Sequence, residues 1–234
     1  MNLLAFETST EACSVAVHCG GQTEERFEIA PRRHAELALP WAEQLLTQVG
    51  LTRAQLQAVA VGRGPGAFTG VRLGIGLAQG IALGLDLPVL AVSTLRVLAE
   101  RAPADAPRVL ATIDARMGEV YAATFERRDG ELVSVSAEIV CAPSAVQLPD
   151  DATGWFAVGT GMAAEGGALT TRLAPRLVGL DAQALPHAAD LVALALAGLA
   201  RGEAIAPERV EPAYLRDNVA LTLEQQRAAR AGAG

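Results

Sequence analysis

The richest chemistry in this chain lies in a glycine loop and in acidic and hydroxyl residues at strand ends. Gly62-Arg63-Gly64-Pro65-Gly66-Ala67-Phe68-Thr69-Gly70 stands between an apolar run, residues 58–61, and a helix-like segment, residues 71–85. The N–H groups and positive dipole end of a helix start suit an anion. The loop therefore reads as an anion cradle around Gly64 and Gly66, or as a sharp turn with no ligand, with Thr69 placed to cap the helix. Glu7, Thr8 and Ser9 close the first apolar run and Asp114 closes a later one. A strand-end acid either serves a site or only ties down its turn. With no lysine anywhere in the chain, a Walker loop and Schiff-base chemistry are excluded. The three histidines, His18, His34 and His187, lack metal-binding spacing, and no G-x-S-x-G occurs. No catalytic residue and no metal ligand is assigned. His34 reads as a cap or surface residue, and His187 with Asp190 as N-terminal capping of a helix.

The elements that must hold these residues follow from periodicity. Short apolar runs over 3–6, 13–17 and 22–29 predict an antiparallel three-strand meander. A helix is expected over 34–49, with Leu37, Trp41, Leu45 and Val49 at i+4 steps, Gly50 closing it, and Pro40 kinking or breaking it. Strand, glycine loop, helix and strand then span 58–92, and a short helix over 93–101 is capped by Ser93 or Thr94. In the long helix Gly76, Gly80 and Gly84 recur every four residues. Each costs about 1 kcal/mol of helix stability against alanine, so a backbone must approach closely there. It is either the chain's own sheet or another subunit.

A Pro/Ala-rich stretch, 102–107, marks a boundary, and the opening pattern then returns. Apolar runs over 109–113, 120–125 and 132–140 repeat the meander, with Asp114 in the place of Glu7. Ala157-Val158-Gly159-Thr160-Gly161 echoes Ala60-Val61-Gly62-Arg63-Gly64. Two echoes in the same order indicate an internal duplication. A helix over 162–173, a strand over 176–180 and a helix over 187–201 complete the second copy, and 206–216 is mostly extended. The expected architecture is α/β, with two actin-like (ASKHA, RNase H-like) lobes over 1–104 and 105–221 and a disordered tail over 222–234. Glu7, Thr8, Ser9, Gly64, Gly66, Thr69, Asp114, Gly159 and Gly161 would then flank one degenerate nucleotide or anion cleft.

At 51% hydrophobic and 19% charged, the 234-residue chain is globular. Its net charge of −7 offers no footprint for nucleic acid. Cys13, Cys19 and Cys141 form neither a disulfide framework nor a zinc knuckle. The N-terminus lacks a signal-peptide pattern. Arg72, Gln79, Asp86 and Pro88 make 70–92 a poor membrane span. A cytoplasmic protein is expected.

The motifs MNLLAFETSTEACSVAV, GRGPGAFTGVRLGIGLAQGIA, PVLAVSTLRVLA, IDARMGEVYAATF and EPAYLR closely resemble the bacterial TsaB (YeaZ) family, from Met1 to about Arg216. The resemblance implies two actin-like lobes and a role in making threonylcarbamoyladenosine beside the anticodon of ANN-decoding tRNAs. It implies a partner, the catalytic relative TsaD, with the P-loop ATPase TsaE joining the pair, and tRNA contacted indirectly. It also implies a dimer surface on the first helices of the N-terminal lobe, here His34, Leu37, Trp41, Leu45, Arg72, Gly76, Gly80 and Gly84. TsaD holds a metal with H-x-x-x-H, whereas Thr94 and Leu98 stand at those positions here, and neither replaces imidazole as a ligand. The expectation is a scaffold subunit with no cofactor of its own, ATP or ADP and a metal being supplied through partners, and a homodimer possible when it is alone. The alternatives are an M22-like peptidase acting on a partner protein and a stand-alone actin-like nucleotide-binding protein.

Overall fold

Apolar runs too short for helices become the centre of the first sheet. In the computed structural model, which describes residues 1–216, β1 (Leu3–Glu7), β2 (Ala12–Cys19) and β3 (Gln22–Ile29) form the antiparallel meander. All of β1 is buried, as a strand covered on both faces must be. β3 lies at the edge and is polar, a composition that discourages further pairing. After α1 (His34–Gln48), β4 (Ala58–Gly62) pairs parallel to β1. After α2 (Phe68–Leu85), β5 (Val89–Val92) pairs parallel to β4. The order is β3-β2-β1-β4-β5.

The second sheet holds β6 (Arg108–Arg116), β7 (Glu119–Arg128), β8 (Glu131–Ser134), β9 (Ile139–Cys141), β10 (Trp155–Val158) and β11 (Leu177–Asp181). Its order, β11-β10-β6-β7-β8, read from the other end reproduces the first sheet strand for strand. The duplication is therefore structural, and the expected two-lobed, actin-like α/β architecture is the one observed. The third run of the second meander is not one strand. It divides into β8 and β9, both paired to β7, where Ser136 Oγ accepts from the Thr124 N–H at 3.0 Å.

Several local expectations are corrected. Pro40 does not break α1, because Ala38, Ala42, Leu45 and Leu46 anchor the helix on both sides of it. α2 begins at Phe68, with extended Ala67 at its cap position, so Thr69 lies in the first turn and caps nothing. α3 (Thr94–Ala99) does take its cap from Ser93, whose Oγ accepts from the Arg96 N–H at 3.3 Å. α4 (Ala164–Leu173) is interrupted by left-handed backbone at Glu165, Gly166 and Gly167.

The sheets divide at the Pro/Ala-rich stretch, but the packing crosses it. α3 lies on β6 and β7, and its Leu95, Leu98 and Ala99 join Val109, Ala111 and Phe125 in one core. α5 (Ala188–Ala200) lies on the first sheet, where Leu191, Val192 and Ala195 pack with Leu3, Ala5 and Ala60. The chain after α5 also returns to the first lobe, through Ile205 bridged to Val89 and the Ala213 N–H donating to Arg63 O at 2.8 Å. Assigning 105–221 wholly to the second lobe is thus corrected, since α5, Ile205 and Ala213 all lie against the first. Residues 217–221 of that lobe, and the tail over 222–234, lie outside the described residues. By length and a mean hydropathy of 1.3, α2 could cross a membrane. Instead its Val71, Ile75, Ala78 and Ala82 are buried in the first core, and Gln79 Nε2 donates to Pro207 O at 2.9 Å.

Candidate functional site in the cleft between the lobes

Glu7 terminates β1 and is 1% exposed. Its Oε1 accepts from the Ser9 N–H at 2.8 Å, and Oε2 lies 3.2 Å from the Thr94 hydroxyl. That hydroxyl is also 3.0 Å from Ser9 Oγ and accepts from the Gly64 N–H at 3.2 Å. Burial pushes the Glu7 carboxyl above its usual range, and hydrogen bonds from Ser9, Thr94 and Thr8 pull the other way. Glu7 therefore does not face the cleft. It is the centre of a buried knot joining the first hairpin turn, the glycine loop and α3. Thr94 is consumed by that knot, and Leu98, fully buried, packs in the second core.

The glycine loop approaches the protein's own backbone. A Cβ on Gly66 would lie 2.2 Å from Ser9 O, and one on Gly70 would lie 2.0 Å from Thr8 O. The Ala67 N–H, at the start of α2, donates to Ser9 O at 2.7 Å, and Thr8 Oγ1 donates to Gly70 O at 2.8 Å. The first hairpin turn is thus packed directly onto the glycine loop and the start of α2. The second lobe repeats the device. Gly159 and Gly161 are buried against Thr112, a Cβ on Gly159 falling 2.1 Å from Thr112 O. Asp114 accepts from the Arg116 N–H and from Arg116 Nη1, each at 2.8 Å, and so ties down the β6–β7 turn.

A cleft of about 490 Å³ does separate the two hairpin turns. Of the residues expected there, Ser9, Gly66, Thr69 and Asp114 line it, whereas Glu7, Thr8, Gly64, Gly159 and Gly161 do not. Its walls also include Arg32, His34, Arg116 and Tyr121, which spacing alone did not assign to it. His34 Nε2 lies 3.0 Å from Thr10 O and 3.1 Å from Ala12 O, bracing α1 on the first hairpin turn. An adjoining recess of about 270 Å³ is walled by Phe68, Arg72, Tyr214 and Arg216. There the Arg72 guanidinium sits 3.2 Å above the Phe68 ring and 4.9 Å from that of Tyr214. Among the described residues, no three His, Cys, Asp or Glu side chains gather as metal ligands.

The residues expected at a partner surface divide by helix. On α1, Leu45 is 1% exposed and belongs to the first core, and Leu37 and Trp41 pack half-buried against it. The i+4 stripe is therefore the face that meets the sheet, and Leu45 is not a surface residue. On α2 the outcome is the reverse. Gly76, Gly80 and Gly84 are exposed, with nothing within 4 Å of an added Cβ. Close packing on their own sheet does not account for them, a task that falls to Gly70 and Gly74. Exposed Leu83 on α2 and Leu39 on α1 accompany the stripe.

A family model described as TsaD, tRNA N6-adenosine threonylcarbamoyltransferase, matches residues 27–223. The tRNA threonylcarbamoyladenosine biosynthesis protein TsaB of Escherichia coli (strain K12) is 43% identical over 232 residues, 94% of this chain and 96% of that protein. The TsaB of Haemophilus influenzae is 41% identical over 231 residues, 94% of this chain and 95% of that protein. Among solved structures, YeaZ from Pseudomonas aeruginosa matches with a TM-score of 0.83 and 45% identity, over 92% of this chain and 99% of that one.

Proposed function

This chain belongs to the TsaB (YeaZ) family, and from that premise we propose that it is a non-catalytic subunit of tRNA threonylcarbamoyladenosine biosynthesis. It pairs with the catalytic relative TsaD and supports threonylcarbamoyl transfer to the adenosine beside the anticodon of ANN-decoding tRNAs. The observation that carries this reading is the glycine loop closed on its own hairpin turn, with Ser9 O accepting from the Ala67 N–H and Thr8 O pressed onto Gly70. Thr94 and Leu98, at the positions where TsaD has histidines, are committed to the Glu7 knot and to the second core. ATP or ADP, the metal and most tRNA contact then fall to TsaD and to the ATPase TsaE, and the assembly works in the cytoplasm with its tRNA. The contact face is the open side of α2, where Gly76, Gly80 and Gly84 let a second helix approach closely.

The test is the native mass of this chain alone and mixed with its TsaD homologue, together with tRNA modification with each chain omitted in turn. A new heteromeric species and modification that requires both chains are expected. No association, with modification proceeding in the absence of this chain, overturns the proposal.

A further inference from the structure

The helix that joins the second lobe to the first lacks a cap of its own. His187 occupies the cap position of α5 but makes no side-chain bond to the helix backbone. The first N–H groups are met from the first sheet. Ser14 Oγ, on β2, accepts from the Ala188 N–H at 2.8 Å, and Glu25 Oε1, on β3, accepts from the Ala189 N–H at 3.0 Å. Ser14 in turn donates to the same Glu25 oxygen at 2.7 Å. His187 is turned back on the sheet, its Nδ1 2.9 Å from Glu25 Oε2 and its ring stacked on Phe27 at 4.0 Å between centroids. A carboxylate here also meets the positive end of the α5 dipole. Burial disfavours the Glu25 charge, yet the bonds from His187, Ser14 and Ala189 hold its carboxyl below the usual range. One turn further on, Asp190 pairs with Arg101 at 3.2 Å, beyond the end of α3.

We propose that Ser14, Glu25, Phe27 and His187 form a clamp that fixes α5, the helix that follows the second sheet, on the sheet of the first lobe, and thereby sets the width of the cleft. Ala184, three residues before His187, packs in the second core, so the clamp holds the chain where it leaves that lobe. Ser14 is the ladder partner of Glu7, so the clamp grips the hairpin whose turn walls the cleft. A chain held this way presents its two lobes as one rigid body rather than a hinge.

The experiment uses the full chain. Amide hydrogen exchange is measured in Glu25→Ala, Glu25→Gln, His187→Phe and Ser14→Ala. In parallel, spin labels at Glu11 and Met117, one on each hairpin turn, report the cleft width, with Cys19 and Cys141 replaced by serine. Glu25→Ala is expected to speed exchange of the amides at 188–191 at least tenfold and to broaden the distance distribution, with β7 amides unchanged. Glu25→Gln, which keeps an acceptor, and His187→Phe, which keeps the stack, fall between. If Glu25→Ala does not fold, the same two readings are taken on the milder Ser14→Ala. Wild-type exchange at 188–191, or an unchanged distance distribution, overturns the clamp.

Discussion

Glu7 and Glu25, both in the first lobe, have carboxyls shifted in opposite directions, and each shift can be tested at its own residue. The Glu7 carboxyl is pushed up by burial, so its neutral form is the one the fold favours. The stability tied to that shift is present below the unfolded carboxylate pKa and is lost as pH rises through the folded value. Glu7→Gln keeps an acceptor for the Ser9 N–H and cannot ionise. Its thermal midpoint should exceed that of the wild type by a margin that grows between pH 5 and pH 8. A margin that shrinks over that range would contradict the assignment. Glu25, held below the usual range, contributes stability that is present above its unfolded pKa and fades as pH falls through the lower, folded one. Glycine positions give a second test. With Thr8 O 2.0 Å from any Cβ at position 70, Gly70→Ala must displace backbone. A loss of about 3 kcal/mol is expected from urea unfolding, the upper part of the range for overpacking.

Among the elements, α1 and α2 show why a stripe seen in sequence needs a third dimension. Both repeat at i+4, yet one stripe meets the sheet and the other meets solvent. Leu45→Ala should cost about 2–5 kcal/mol, as a buried leucine does, and any loss of partner binding should result from that instability. Gly80 behaves differently. Gly80→Ala should stabilise the chain by about 1 kcal/mol through helix propensity alone. Gly80→Leu should leave the fold intact and abolish assembly with the TsaD homologue. Normal assembly by a folded Gly80→Leu protein would remove α2 from the interface.

At the scale of the whole molecule, exchange of α3 and α5 between the sheets makes each core depend on both lobes. Unfolding is therefore expected to be a single transition. The two tryptophans provide the probe, Trp41 packing against the first core and Trp155 buried in the second lobe. In Trp41→Phe and in Trp155→Phe, the fluorescence midpoint of the remaining tryptophan should coincide with the midpoint from circular dichroism of the same variant. Separated midpoints would mean lobes that fold independently.

What the sequence determined by itself was carried by local pattern: the strand runs ending at Glu7 and Asp114, the glycine loop, the repeated order of elements and the family motifs. Apolar periodicity and turn residues act over a few positions, so they are legible without the fold. The direction in which each feature faces was decided only by tertiary structure. Glu7 points into a knot completed by Thr94, 87 positions away. Gly66 and Gly70 meet the backbone of the turn at Thr8 and Ser9. The cap of α5 comes from Ser14 and Glu25, more than 160 positions upstream. Close contacts between distant segments depend on how the two sheets pack, and no short-range spacing encodes that.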